Sequence, residues 1–582
     1  MSSLTRLLLS SLVCLLGWMP HSAHAQEADP SRQAYEQALI QAKGELKRIE
    51  GRLESARVAH LDVPLARAGV SLSMAKMAIE TAALTLRTGG AQTEVRAWLT
   101  RGEGYLREAA LHLLPSRGAE TRGILLDASS LPRSESGIVA LVQQFARAHF
   151  NVLLPEVCRR GYAIYPSQLL DRDPDFRQDL DVLQVLIREA HRRGMEVHPW
   201  IWTFRVRSPG FGNPLLGHLP ALAARAEGKE SRFLSAAHPD ARDFVLRAVE
   251  ELTRHYDVDG LLLDYIRYDE AIPEDEVSKT QFALAYHAQH GVYPPDPLPA
   301  DSPLRLEWQL WREQQVHTTV QEIAARARVH RPHLAISAAV FRGEAYARAA
   351  KLQNWRHWMD NAWIDWPSPM LYTGKTQELS RWLSWETDRH TRRNLLVPIL
   401  GLHRFDQPSD LFEQWAELRA EHVPGGFLFA LGHFDLARLE DLRAGPFREP
   451  ALLPHRSFPR AVRKTLAQVM QHLRLVHAQG DFEAAATALM LHEEVQRISQ
   501  SLPLRDRVYY QAPALRERLR QVRSMAELAP WPLAARREFL SRMLYADALL
   551  AANQHRVEAN RYVPPAPPPR ERAEERAGGQ GD

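Results

Sequence analysis

The chain has 582 residues, 45% of them apolar and 25% charged, with 73 Lys+Arg against 70 Asp+Glu. That composition is globular and long enough for roughly two to four domains, and without an extended basic block it argues against a dedicated nucleic-acid surface. The cysteines, Cys14 and Cys158, cannot supply a disulfide framework or a Cys-rich zinc site.

Arg6 precedes the apolar run Leu7 to Trp18, and Ala23 and Ala25 make a small-residue cleavage pattern ending before Gln26. This predicts a signal peptide over 1–25. The run falls short of the roughly 20 residues of a membrane-spanning helix, and no later segment is apolar enough to span. The mature protein is therefore expected to be exported, periplasmic or secreted, with no transmembrane segment and with Cys158 as its one thiol.

From 31 to 115 the pattern is helical. Leu39, Leu46, Ile49 and Leu53 recur at helical spacing, a second stretch runs from Val70 to Leu86 and stops at Gly89-Gly90, and a third ends before Pro115. From 122 to 442 short β-rich runs alternate with amphipathic helices, the mark of βα units around a parallel sheet. The runs are RGILLD (122–127), NVLLPE (151–156), MEVHPWIW (195–202), DGLLLD (259–264), LAISAAVF (334–341), WIDWPSPMLY (363–372), LLVPILGL (395–402) and GGFLFAL (425–431). Eight such units predict an α/β fold, a (β/α)8 TIM-type barrel with helical N-terminal and C-terminal extensions. A proline-rich insertion over 269–303 follows the fourth strand. The region 454–562 is helical again, and GDFEAAATAL (480–489) has no second copy at fixed period, so a solenoid is not expected. The tail 563–582 is Pro-rich, then charged and Gly-rich, and is expected to be disordered.

In such barrels chemistry sits at the C-terminal ends of the strands. That rule puts Asp127, Glu156 and Asp264 at the rim with Tyr372, and Glu344 just beyond the fifth strand. Asp259 and Asp365 fall at the opposite end. His198, Trp200 and Trp202 alternate along the third strand and share one face, which could point toward the mouth. Eleven of the 14 tryptophans lie between Trp200 and Trp415. Their rings have flat apolar faces and hydrogen-bonding edges that suit sugars. Paired carboxylates across an aromatic cleft are what glycosidic cleavage needs, at about 5–5.5 Å for retention or about 6.5–9.5 Å for inversion. No HExxH motif and no close His pair on one face is present, so no metal is expected. GFGNPLLG (210–217) lacks a nucleotide-binding setting, and no GxSxG elbow occurs.

RGILLD, FNVLLPEVCRRGYAIYPSQLL (150–170), AHRRGMEVHPWIWTFRV (190–206), VDGLLLDYIRYD (258–269) and WIDWPSPMLYT (363–373) together resemble the glycosyl-hydrolase-like 10 family of exported bacterial barrel proteins. The resemblance covers 122–442. It implies a glycosidase-like activity on cell-envelope glycans, some members acting on peptidoglycan strands stripped of stem peptides. It also implies Asp264 as the strand-four acidic residue, and Tyr372, Trp200, His198 and Arg267 as cleft-lining positions. The reading is thus a glycoside hydrolase with Asp264 as nucleophile or base and Glu156 as general acid. Trp200 and Trp202 would stack on sugar, and Asp127 and Glu344 would assist binding. No cofactor is implied, and the helical flanks could contact envelope proteins. The alternatives are a non-catalytic carbohydrate-binding scaffold and a polysaccharide lyase or deacetylase on the same barrel.

Overall fold

The computed structural model describes residues 32–206, 222–224, 230–268, 274–296, 298, 302–388, 396–406, 409–504 and 510–561. The expected signal peptide, the 210–217 stretch, the 563–582 tail and parts of the 269–303 insertion lie outside the described residues.

Eight parallel strands close on themselves. They are β1 (Thr121–Leu126), β2 (Val152–Arg159), β3 (Glu196–Val197 and Trp200–Trp202), β4 (Gly260–Asp264), β5 (Ala335–Val340), β6 (Trp366–Leu371), β7 (Ile399–Gly401) and β8 (Gly425–Phe429). Each pairs with the next, and β8 returns to β1 through Thr121↔Gly425 to Ile124↔Leu428. Closure leaves none of these eight strands at an edge. The third strand is broken because Pro199 has no N–H to donate to the ladder. Gly123 faces Phe427 across the β1–β8 seam, where a Cβ would come within 2.4 Å of the ring, so its lack of a side chain makes room for that ring in the barrel.

Helices wrap the barrel and start at side-chain caps that fix where each strand-to-helix loop ends. Ser134 caps α4 (Glu135–Arg147) by accepting from the Gly137 N–H, and Asp181 caps α5 (Val182–His191) by accepting from Gln184. Before the barrel, α1 (Arg32–Val58), α2 (Leu65–Arg87) and α3 (Gln92–His112) bury their apolar faces in a core continuous with the barrel's. Long helices over Phe458–Gln479, Phe482–Gln500, Ala512–Leu528 and Leu533–Arg561 follow it and share a second apolar core.

At the start of β1 a buried ion cluster ties barrel to flank. Arg122 and Arg419 donate to Glu120 at 2.7–2.9 Å, and Arg122 also reaches the Glu449 carbonyl. Burial opposes the Glu120 charge, but the two guanidinium groups outweigh it and hold the carboxyl down at about 2.

Candidate active site at the C-terminal rim

The register decides which side chains share the interior. Glu156 lies level with Trp200, and Trp202 with Asp264. Register partners on parallel strands point to the same face, so these four side chains do too. That face is the lumen, because Trp200 packs edge-on against Phe429 of the non-adjacent β8 at 5.9 Å between centroids. Asp264 and Glu156 therefore both point into the barrel near the strand ends.

The two acids have contrasting surroundings. Asp264 accepts from Trp200 Nε1 at 3.0 Å, from Arg267 Nη1 at 2.6 Å and from the Tyr265 N–H at 2.7 Å. The last bond comes from the neighbouring residue's own N–H, and Tyr265 itself takes φ +49, a left-handed turn at the strand end. Glu156 accepts one backbone bond, from Ala128 at 2.9 Å. Arg159 stands 4.0 Å away and is committed to Asp173 at 2.9 Å and Asp175 at 3.1 Å. Burial is the main influence on Glu156 and, with the nearby Asp127 charge, pushes its carboxyl up to about 7 against the opposing pull of Ala128 and Arg159.

Aromatic groups line the mouth beside these acids. Trp202 packs on Tyr265 at 4.8 Å, and its buried indole N–H is directed at the Glu156 carboxyl. Tyr265 lies between the Arg205 and Arg267 guanidinium groups, 4.7 and 4.3 Å from its centroid. Tyr372 stacks on Phe429 at 5.3 Å, and burial, with the Asp264 charge next, raises its phenol. His403 and His433 lie 5.4 Å apart and are exposed, with His403 edge-on to Tyr372. Burial, then the Arg404 charge, lowers the His403 imidazole. These two histidines and Phe429 were not anticipated from sequence. The available signal was the segments GLHRF and LGHF, each just beyond a strand.

Trp200, expected to stack on sugar, is instead buried and spends its Nε1 on Asp264. His198 and Glu344 stand away from the two acids, and Asp127, beside Glu156, has a structural part. His198 has the lumenal face expected of it but the wrong level. Four residues before Trp202, it sits about 13 Å lower along the strand. It is fully buried against Gly260 and bonded to Glu196 at 2.8 Å, so it does not reach the cleft. Asp127 is a brace, accepting from Ser129, Ser130 and the Gly432 N–H and so tying the β1 end to the loop after β8. Glu344 opens the helix Glu344–Lys351 and pairs with Arg356 at 2.6 Å, not with either lumenal acid. Local spacing of histidines and carboxylates also gives no sign of a cluster that the chain assembles from distant segments. The fold brings Glu196, His198 and His455 together on the barrel floor, all buried.

Residues 130–415 match the family model for glycosyl hydrolase-like 10. The barrel is similar to this family over that stretch, just under half of the chain. The match runs from just after β1 to just before β8 and includes Glu156, Asp264 and Tyr372. The chain is 22% identical over 275 residues to "Glycosyl hydrolase YngK" of Bacillus subtilis (strain 168), covering 42% of this chain and 50% of that one. It is 22% identical over 324 residues to "Glycosyl hydrolase DigH" of Escherichia coli (strain K12), covering 48% and 69%. The chain thus spans half the length of YngK. Among solved structures it resembles the PgaB (BpsB) glycoside hydrolase domain from Bordetella bronchiseptica, with 15% identity, a TM-score of 0.45 and coverage of 56% of this chain and 97% of that one. The barrel itself is read from the closed ladder of this chain.

Proposed function

We propose that this protein is an exported glycoside hydrolase that cleaves glycosidic bonds of a cell-envelope polysaccharide, peptidoglycan glycan strands in particular. The observation that carries the reading is the contrast between two lumenal carboxyls on one rim, because opposed environments are how a site separates acid from base. Glu156, short of donors and raised to about 7, holds a proton near neutrality and delivers it to the leaving oxygen as the C1–O bond breaks. Asp264, aligned by Arg267 and Trp200, takes a proton from water as the new C1–O bond forms. Two strand spacings across and two residues along put their Cα atoms roughly 12 Å apart. That supports the wider separation of direct displacement by water, with inversion at C1. Trp202, Tyr265, Tyr372 and Phe429 offer sugar-sized apolar faces.

The test is release of new reducing ends from purified glycan strands, with and without stem peptides, by wild type and by Asp264→Asn. One observation favours the carbohydrate-binding scaffold instead: Asp264 is already paired with Arg267 at 2.6 Å. Retention of glycan by wild type with no new reducing ends would establish that reading. Export is tested by N-terminal sequencing of the protein from a periplasmic or culture fraction, where a chain beginning at Gln26 is expected.

A further inference from the structure

The opposite end of the barrel carries a second constellation. Glu196 opens β3, His198 follows it at the break before Pro199, and His455 comes from the segment that leaves the barrel for the C-terminal helices. The Nε2 atoms of both histidines approach the same Glu196 oxygen, Oε2, at 2.8 and 2.7 Å. One ligand atom from each of the three residues lies within 4.8 Å of the others. Arg456 holds the second oxygen, Oε1, and also reaches Asp259 at 3.1 Å, so the carboxylate is fixed with Oε2 turned to the imidazoles. Beside the cluster an open cavity of about 490 Å³ is lined by Glu196, His455, Asp259 and Arg331 among others.

We propose that Glu196, His198 and His455 form a divalent-cation site of zinc character on the barrel floor, its fourth position filled by water from the adjoining cavity. Two imidazoles and one carboxylate are a donor set that suits zinc, and the set leaves one position open. Ligand atoms around tetrahedral zinc stand roughly 3.3 Å apart, so the two Glu–His contacts need to widen by about half an ångström and the widest separation, within 4.8 Å, to close. In the cavity wall three carboxylates, Glu196, Asp257 and Asp259, stand with two guanidinium groups, Arg331 and Arg456. Gly260 helps to seat the ring. A Cβ there would lie 2.6 Å from His198 Nδ1 and 2.7 Å from the Ala335 carbonyl oxygen. The buried, unpartnered Nδ1 faces the same space as that acceptor, toward which an N–H turns once Nε2 is spent on a cation. The site would fasten the C-terminal helices to the barrel through His455, independently of chemistry at the rim.

The test uses the full chain with any affinity tag removed, chelated and then titrated with zinc. Metal content per chain after gel filtration and the visible spectrum of the cobalt form are read together. Wild type is expected to retain one zinc and to show the cobalt bands of a four-coordinate site. His455→Gln and Glu196→Gln are expected to weaken binding at least roughly ten-fold, whereas Asp264→Asn at the rim leaves it unchanged. His455→Gln lies outside the strands and serves if Glu196→Gln does not fold. No zinc retained by folded wild type, or the same content in wild type and His455→Gln, would overturn the proposal and leave a hydrogen-bonded Glu–His–His–Arg cluster.

Discussion

Replacing Glu156 by Gln separates the electrostatics of this carboxyl from its shape. The wild-type group titrates at about 7 in the fold against 4.5 in the open chain. A raised carboxyl means that the native state binds the proton more tightly, so native stability is highest below pH 4.5 and falls as pH rises to about 7. At 1.36 kcal/mol per pH unit the penalty is about 1 kcal/mol at pH 5 and about 3 kcal/mol at pH 8. Gln cannot ionise and still accepts from the Ala128 N–H through its amide oxygen. Glu156→Gln is therefore expected to be more stable than wild type at pH 8 by about 3 kcal/mol, with the gap closing toward pH 4. Urea unfolding of both proteins across pH 4–8, followed by the barrel's tryptophan fluorescence, reads it. The same variant should lose the alkaline limb of kcat/KM near pH 7, where wild type loses its general acid. A stability gap that does not change with pH would refute the argument that burial holds this carboxyl protonated.

Other expectations follow from the same structure. Glu120→Gln removes the buried carboxylate shared by the buried Arg122 and the half-buried Arg419 and should destabilise by about 3–5 kcal/mol in chemical unfolding at pH 7. Because that carboxyl is held at about 2, its contribution in wild type is lost as pH falls from 4.5 toward 2. Acid unfolding of the variant should therefore lack this component. Trp202→Ala should raise KM by about ten-fold or more with a smaller change in kcat, since stacked aromatic contact acts on bound sugar before and during reaction. The first-formed anomer, followed by proton NMR immediately after mixing, should be inverted relative to the substrate. A retained anomer would mean that Asp264 attacks carbon directly.

The barrel was legible because its strands are apolar runs broken by amphipathic helices, a period that burial on both faces imposes. Asp264 and Glu156 were legible for a related reason, since the end of a strand tells which mouth a residue faces. What local reading lacked was level and distance. His198 shares a face with Trp202, yet Pro199 breaks the strand between them and the ring serves the floor. Asp127 ends β1 as expected, but the loop carrying Gly432 meets it from the far end of the chain. His455 reaches Glu196 across 259 positions of sequence, a separation no spacing rule inspects. His403 and His433 follow short strands whose ends could be placed only once the neighbouring ladder was known.

The central claim is that Asp264 is a base at work on a glycan and not the anchor of Arg267 alone. Glycan strands freed of stem peptides, incubated with wild type and Asp264→Asn and analysed by mass spectrometry with reducing-end labelling, test it most directly. The account predicts shortened, newly labelled strands from wild type, a loss of roughly 10²–10⁴-fold in the variant, and undiminished strand binding by both. Equal cleavage by the two proteins, or none by either, would contradict it.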